Sequence, residues 1–319
     1  MLNRQKMLSI LMIALSPFLT SHAQSEKDFV KENLSFCNSQ LNNMLADQSL
    51  PANKFPRTIN SKGALTATSM YDWTPGFFPG SLWYGYEFSK NEGLKESAIK
   101  WTEKLEPLQT FTGHHDLGFM MYCSYGNAYR LTNNEAYKAI LVRSAKALST
   151  RFNTKTGCIK SWNSFKSFHG DKTYTFPVII DNMMNLEMLF FASKVSGDRS
   201  FRDIAIKHAE TTMKNHFRPD YSSYHVVCYD SVSGKVQARE AAQGFADNST
   251  WARGQAWAIY GFTMTYRETK DLRFLKTAKG LAKHYDDLSR TCADRLEAGS
   301  PDIDAEGRDY GTLPVEEGA

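Results

Sequence analysis

Beyond its first two dozen residues the chain has no long apolar run, so no later segment is suited to spanning a bilayer as a helix. Lysine and arginine never cluster into a basic stretch, and the formal net charge is only +4, which argues against a nucleic-acid partner. Cysteine is scarce and scattered: Cys37, Cys123, Cys158, Cys228 and Cys292 form no CxxC and no Cys/His cluster. That spacing excludes a structural zinc site, and an odd count implies no disulfide framework and at least one free thiol. There is no βαβ alternation, no GxGxxG after a strand, no phosphate-binding loop and no metal motif. The absence of GxSxG disfavours a serine hydrolase. Aromatic residues, by contrast, make up 13% of the chain, enough for a large core with rings left over for a binding surface.

The N-terminus reads as an address. Arg4 and Lys6 form a basic start, residues 7–19 are mostly apolar, and Ser21-His22-Ala23 offers small residues at a cleavage point. This pattern predicts a secretory signal peptide over residues 1–23, cut after Ala23, and an exported, periplasmic product that is not inserted in the membrane after cleavage.

From there the apolar spacing predicts helices over 26–47, 79–90, 93–106, 118–131, 134–151, 181–196, 199–216, 253–269 and 271–288. In the fifth of these, Ala136, Ile140, Leu141, Ala145 and Leu148 share one face. Very short turns, Leu131-Thr132-Asn133-Asn134, Ser196-Gly197-Asp198 and Thr269-Lys270-Asp271, join several of them into antiparallel hairpins. Longer aromatic-rich loops, 51–78, 152–180 and 217–252, lie between hairpins; one contains a β-hairpin over His225–Val236 with a Ser-Gly turn. Alternating short and long connections suit an all-α toroid of helix hairpins with the long loops on one rim, where ligand chemistry collects. After Asp287 the helical period fades into acidic, Gly-rich text. The expected organisation is thus a leader (1–23), a helical catalytic domain over 24–292 that is incomplete at its C-terminus, and an irregular 293–319 that reads as a frameshifted or misassembled end.

Two carboxylates stand out by context. Asp116, in His114-His115-Asp116-Leu117-Gly118-Phe119, has two histidines and a helix start beside it, which favour its ionised form. Asp181, in Ile180-Asp181-Asn182-Met183-Met184-Asn185, follows a run of apolar residues, and desolvation would raise its pKa. Two carboxyls pushed apart in this way make an acid/base pair, although an Asp at either place also fits a plain N-cap. The stretch Trp251-Ala252-Arg253-Gly254-Gln255-Ala256-Trp257 sets Arg253 and Trp257 on one helix face, which suits a sugar carrying a carboxylate. It also fits an amphipathic helix with a buried Trp and a surface Arg. His115, His225, Gln243, and the loop residues Trp73 and Trp162 complete the candidates. His225 alone would more commonly be structural.

Taken together, Asp72-Trp73-Thr74-Pro75-Gly76-Phe77-Phe78-Pro79-Gly80, His115 through Phe119, Ile180 through Asn185, His225, Gln243-Gly244 and Trp251 through Trp257 resemble the unsaturated glucuronyl hydrolases, glycoside hydrolase family 88. The resemblance covers roughly residues 30–288. It implies an (α/α)6 barrel acting on oligosaccharides left by polysaccharide lyases, glycosaminoglycan fragments among them, whose non-reducing end is a 4,5-unsaturated uronic acid. It implies Asp181 as general acid and base, Asp116 as its support, and Trp73, His115, Trp162, His225, Gln243, Arg253 and Trp257 as lining for the unsaturated sugar. No metal or organic cofactor is implied. A related family acting on unsaturated rhamnogalacturonan shares the fold and paired aspartates. Two rival readings are a sugar 2-epimerase working through histidine bases and a non-catalytic glycan-binding toroid using its tryptophans.

Overall fold

In a computed structural model of the chain, residues 25–47 and 49–297 are described. The expected signal peptide, and residues 298–319 of the expected irregular end, lie outside them. The described residues form α1 (Glu26–Ala46), a β-hairpin of β1 (Phe55–Ile59) and β2 (Leu65–Thr68), and then a succession of helix hairpins. The first pairs α2 (Phe77–Ser89) with α3 (Glu92–Glu103). The second sets α4 (Leu117–Met121), a π turn over Tyr122–Gly126 and α5 (Asn127–Thr132) against α6 (Glu135–Ser149). The last two pair α7 (Leu186–Ser196) with α8 (Arg199–Asn215), and α9 (Ala252–Thr269) with α10 (Leu272–Glu297).

One local device makes all four hairpins. Each first helix ends on a residue in the left-handed region: Lys90 (φ 57°), Asn133 (φ 54°), Gly197 (φ 77°) and Lys270 (φ 61°). Each is followed at once by Asn or Asp. Asn91, Asn134, Asp198 and Asp271 accept backbone N–H bonds from Leu94 (3.2 Å), Ala136 (2.9 Å), Ser200 (2.9 Å) and Arg273 (2.9 Å). A left-handed C-terminal residue reverses the chain, and an Asx side chain satisfies an orphan donor of the next helix. The core of these hairpins holds Trp83, Tyr125, Leu141, Met183, Leu189 and Phe262, all fully buried.

The long connections carry more strand than expected. β3 (Phe152–Asn153) pairs with β4 (Cys158–Ile159), and β5 (Phe165–Lys166) with β6 (Thr173–Tyr174). β7 (Pro177–Ile179) adds a third strand to the expected hairpin of β8 (Val226–Tyr229) and β9 (Val236–Glu240). Strands of two to five residues are too short to print an alternating pattern, and the β1–β2 ladder is further disturbed by a register shift between Pro56 and Thr58. At the other end the sequence expectation falls short: α10 runs to Glu297 rather than stopping near residue 288, so residues 293–297 are helical rather than irregular. Among the described residues no helix is long and apolar enough to cross a membrane, and Cys37, Cys123, Cys158 and Cys228 are all unpaired thiols.

Candidate active site

The antiparallel register of β7 and β8 places Ile179 opposite Val226, and the Ile180 N–H donates to the His225 carbonyl at 3.0 Å. Asp181 and His225 therefore emerge at the same end of a buried strand pair. Asp181 sits in a 3₁₀ turn over Ile180–Asn185 and is not its N-cap. Burial is the main force on its carboxyl, and the nearby negative charge of Asp116 adds to it; Arg253 and the Trp257 side chain offset only part. Its pKa is pushed up to about 7, so it holds its proton near neutrality.

The two nitrogens of His225 are assigned different tasks by the backbone. Nδ1 accepts from the Ala242 N–H (3.1 Å) and the Gln243 N–H (2.8 Å). It can only be a lone pair, which puts the proton of the neutral ring on Nε2. Nε2 faces Asp181 Oδ2 at 3.7 Å, too far for a direct hydrogen bond, and neither buried atom has another partner among the described residues. Burial, with the neighbouring His216 and Arg253, drops the His225 pKa to about 3, so the ring stays neutral.

Asp116 lies at the start of α4, but its side chain makes no cap hydrogen bond, which leaves the carboxylate for other work. His114 Nδ1 approaches Oδ2 at 3.0 Å and His115 Nε2 approaches Oδ1 at 3.2 Å. Burial pushes the Asp116 pKa upward, yet the His115 ring and the contact and charge of His114 outweigh it, and the net direction is down. The two histidines differ. His114 meets acceptors on both sides, Asp116 and the Tyr71 carbonyl (2.9 Å), and although burial opposes its charge, these raise its pKa. His115 is fully enclosed, and burial lowers its pKa. Behind both lies Arg151, almost fully buried and held by backbone carbonyls of Thr112, Lys160 and Ser161 rather than by a carboxylate. Its charge adds to the field that keeps Asp116 ionised.

The rim is cationic and aromatic. The Arg253 guanidinium lies 4.4 Å from the Trp251 ring centre and 5.8 Å from that of Trp73, and Nη2 donates to Gln243 Oε1 at 2.7 Å. Among the described residues no carboxylate is within ion-pair reach of it, so its charge remains available to a ligand. Arg57 stacks on Trp73 at 5.1 Å and pairs with Asp72 at 3.2 Å. Trp162 is half-buried, its ring 6.4 Å from His225 and 6.0 Å from Phe165. Among the described residues no cluster of His, Cys, Asp or Glu could hold a metal ion.

Asp181, Asp116, His225, Gln243, Arg253, Trp73, Trp162 and Trp257 are thus linked by direct contacts or mutual electrostatics. His115 is placed differently from expectation: with no exposed surface it stands behind Asp116 and cannot itself line a sugar pocket. α9 is amphipathic, burying Gly254, Gln255, Ala258, Gly261 and Phe262 on one face, with Arg253 exposed and both Trp251 and Trp257 only half-buried. Sequence reasoning passed over His114, Arg151, Trp251, Asn182 and Asn185 as site residues. Trp251 packs against His225 with ring centres 4.6 Å apart and planes tilted by 49°. The Asn pair had a signal, two amides three apart in a turn whose other residues, Asp181 aside, are apolar; Arg151 had none, since its partners are main-chain carbonyls, which leave no mark in the sequence.

A family profile described as Glycosyl Hydrolase Family 88 matches residues 51–298. An unsaturated glucuronyl hydrolase of Formosa agariphila is 40% identical, the match covering 98% of this chain and 79% of that protein. An unsaturated chondroitin disaccharide hydrolase of Streptococcus pyogenes is 30% identical over 89% of this chain and 71% of its own. Among solved structures, an unsaturated glucuronyl hydrolase specific for heparin superposes with a TM-score of 0.74 at 43% identity, over 90% of this chain and 71% of that one. The unsaturated glucuronyl hydrolase of Bacillus sp. GL1 does so with a TM-score of 0.71 at 29% identity, over 80% and 66%. The fold is that of these enzymes, a six-hairpin helical toroid, to which the described residues contribute four hairpins and α1.

Proposed function

The chain belongs to glycoside hydrolase family 88, and from that we propose that it removes a 4,5-unsaturated uronic acid from the non-reducing end of lyase-generated, glycosaminoglycan-type oligosaccharides. The observation that carries the reading is the unequal setting of two buried, electrostatically coupled carboxyls: Asp181, with His225 Nε2 at 3.7 Å and its pKa pushed up to about 7, and Asp116, flanked by His114 and His115 at 3.0 and 3.2 Å and held low. The unsaturated sugar is a vinyl ether. Asp181 delivers its proton to C4, and positive charge develops on C5 and the ring oxygen. The Asp116 carboxylate stabilises that charge. The now ionised Asp181 takes a proton from water as the oxygen adds to C5. The resulting hemiketal opens and the aglycone leaves C1, one water being consumed. Carboxylate separation does not set a stereochemical outcome here, because the anomeric carbon is not attacked. In this reading Arg253, which has no carboxylate partner among the described residues, holds the C6 carboxylate, and Trp162 or Trp257 stacks on the flattened ring.

The test is loss of the ultraviolet absorbance of the conjugated alkene on incubation with unsaturated chondroitin, hyaluronan and heparin disaccharides. Bleaching of unsaturated rhamnogalacturonan fragments alone would transfer the label to the related pectin enzymes. Binding without bleaching would leave a glycan-binding toroid. The basic start, apolar run and Ser21-His22-Ala23 support export to the periplasm and a leader over residues 1–23, which N-terminal sequencing of the secreted product checks.

A further inference from the structure

Asn185 is fully buried, and every polar atom of its side chain is committed. Oδ1 accepts the Phe119 N–H at 2.9 Å. That fixes which end of the amide is which, so the NH2 group must face the other way, where it reaches Asn182 Oδ1 at 3.0 Å and His115 Nδ1 at 3.1 Å. Asn182 is pinned in turn, donating to the Ile159 carbonyl at 2.6 Å. An NH2 group can only donate, so His115 Nδ1 must present a lone pair. The proton of the neutral ring is then on Nε2, 3.2 Å from Asp116 Oδ1 but out of line for a hydrogen bond, so the two interact through charge and dipole alone. Asn182, Asn185 and His115 are all fully buried, where water cannot substitute for a missing partner. The arrangement needs Gly118: a Cβ there would stand 2.4 Å from both Cβ and Oδ1 of Asn185.

We propose that Asn185 is a positioning residue that imposes the Nε2–H tautomer on His115, so that the ring turns its N–H dipole rather than a lone pair toward the Asp116 carboxylate. The inference rests on the hydrolase reading for its catalytic meaning but not for its first test. A neutral ring with its proton on Nδ1 would turn a second lone pair toward Asp116, and a support carboxylate repelled in this way would no longer stay ionised at little cost. A wrong tautomer is known to be expensive where a histidine is held by a hydrogen-bonding partner.

The experiment is ring nitrogen NMR of the full-length protein labelled with 15N-histidine, the His115 signals being assigned by their loss in His115→Gln. At neutral pH, His115 is expected to carry its proton on Nε2 with Nδ1 bare; protonation on Nδ1, or on both nitrogens, overturns the proposal. Asn185→Asp keeps an oxygen for the Phe119 N–H but sets a second acceptor opposite Nδ1. It should move the proton onto Nδ1 and lower kcat about tenfold or more, with KM changed less than about threefold. A variant that folds and keeps both the tautomer and kcat overturns the proposal; if it does not fold, the wild-type spectrum still decides. Should the wild type turn over no unsaturated disaccharide, the hydrolase reading fails while the tautomer measurement stands.

Discussion

At the scale of single residues the site is a contrast between two carboxyls of identical chemistry. Asp181→Asn should lower kcat by about 10² to 10⁴, the range of a lost general acid, with circular dichroism unchanged; full activity in this variant would end the mechanism. An epimerase would instead depend on histidine. The pH profile has a definite sign. Asp181 works protonated, so kcat/KM should fall as pH rises through about 7. Asp116 works ionised and its pKa is lowered, so the acid limb should lie below the ordinary carboxylate value. The aspartates were legible from their neighbours, apolar residues before one and histidines before the other. His115 was legible as a participant but not in its place, because burial behind a carboxylate leaves no local mark. Arg151 was illegible, since nothing next to it in the chain is its partner.

At the scale of elements, the hairpins were written into short turns such as Ser196-Gly197-Asp198, where a left-handed residue precedes an Asx cap. The short strands were not, because β7 gains meaning only from pairing with β8, some fifty positions on. The packing of α9 on the Asp181 turn offers a sharp test. A Cβ on Gly261 would lie 2.4 Å from Met183 Cβ and 3.0 Å from its carbonyl oxygen. Helix propensity alone would favour alanine by about 1 kcal/mol. Overpacking typically costs about 1–3 kcal/mol, and here the backbone of the catalytic turn must give way. Gly261→Ala should therefore lower Tm and depress kcat together, as thermal melts and kinetics on one preparation would show; a raised Tm would refute the contact argument.

At the scale of the whole molecule, buried neutral histidines make the fold sensitive to acid. Burial holds His208 at about 3 and His216 at about 4, with His225 at about 3. The unfolded chain takes up these protons below about 6.5. The folded chain does not until far lower, so stability falls as pH drops between those limits. Each such histidine removes up to about 1.4 kcal/mol per pH unit there. Asp181 works the other way, its raised pKa adding stability as pH falls from about 7 toward the ordinary carboxylate value. His114, also raised, contributes stability that is full below its unfolded value and lost as pH rises. Three strongly lowered groups, with His115 lowered as well, outweigh these two. Urea midpoints should thus be distinctly lower at pH 5 than at pH 7.5; equal midpoints would contradict the balance.

Gln243 belongs to two circuits at once. Its amide oxygen steadies the arginine offered to an anionic ligand, while its main-chain N–H helps clamp the imidazole next to Asp181. Any truncating replacement but proline severs the first connection and spares the second, because it keeps the peptide hydrogen. Gln243→Ala is consequently a clean cut between grip and proton management, and whatever kcat survives in it measures how far the two can be run independently.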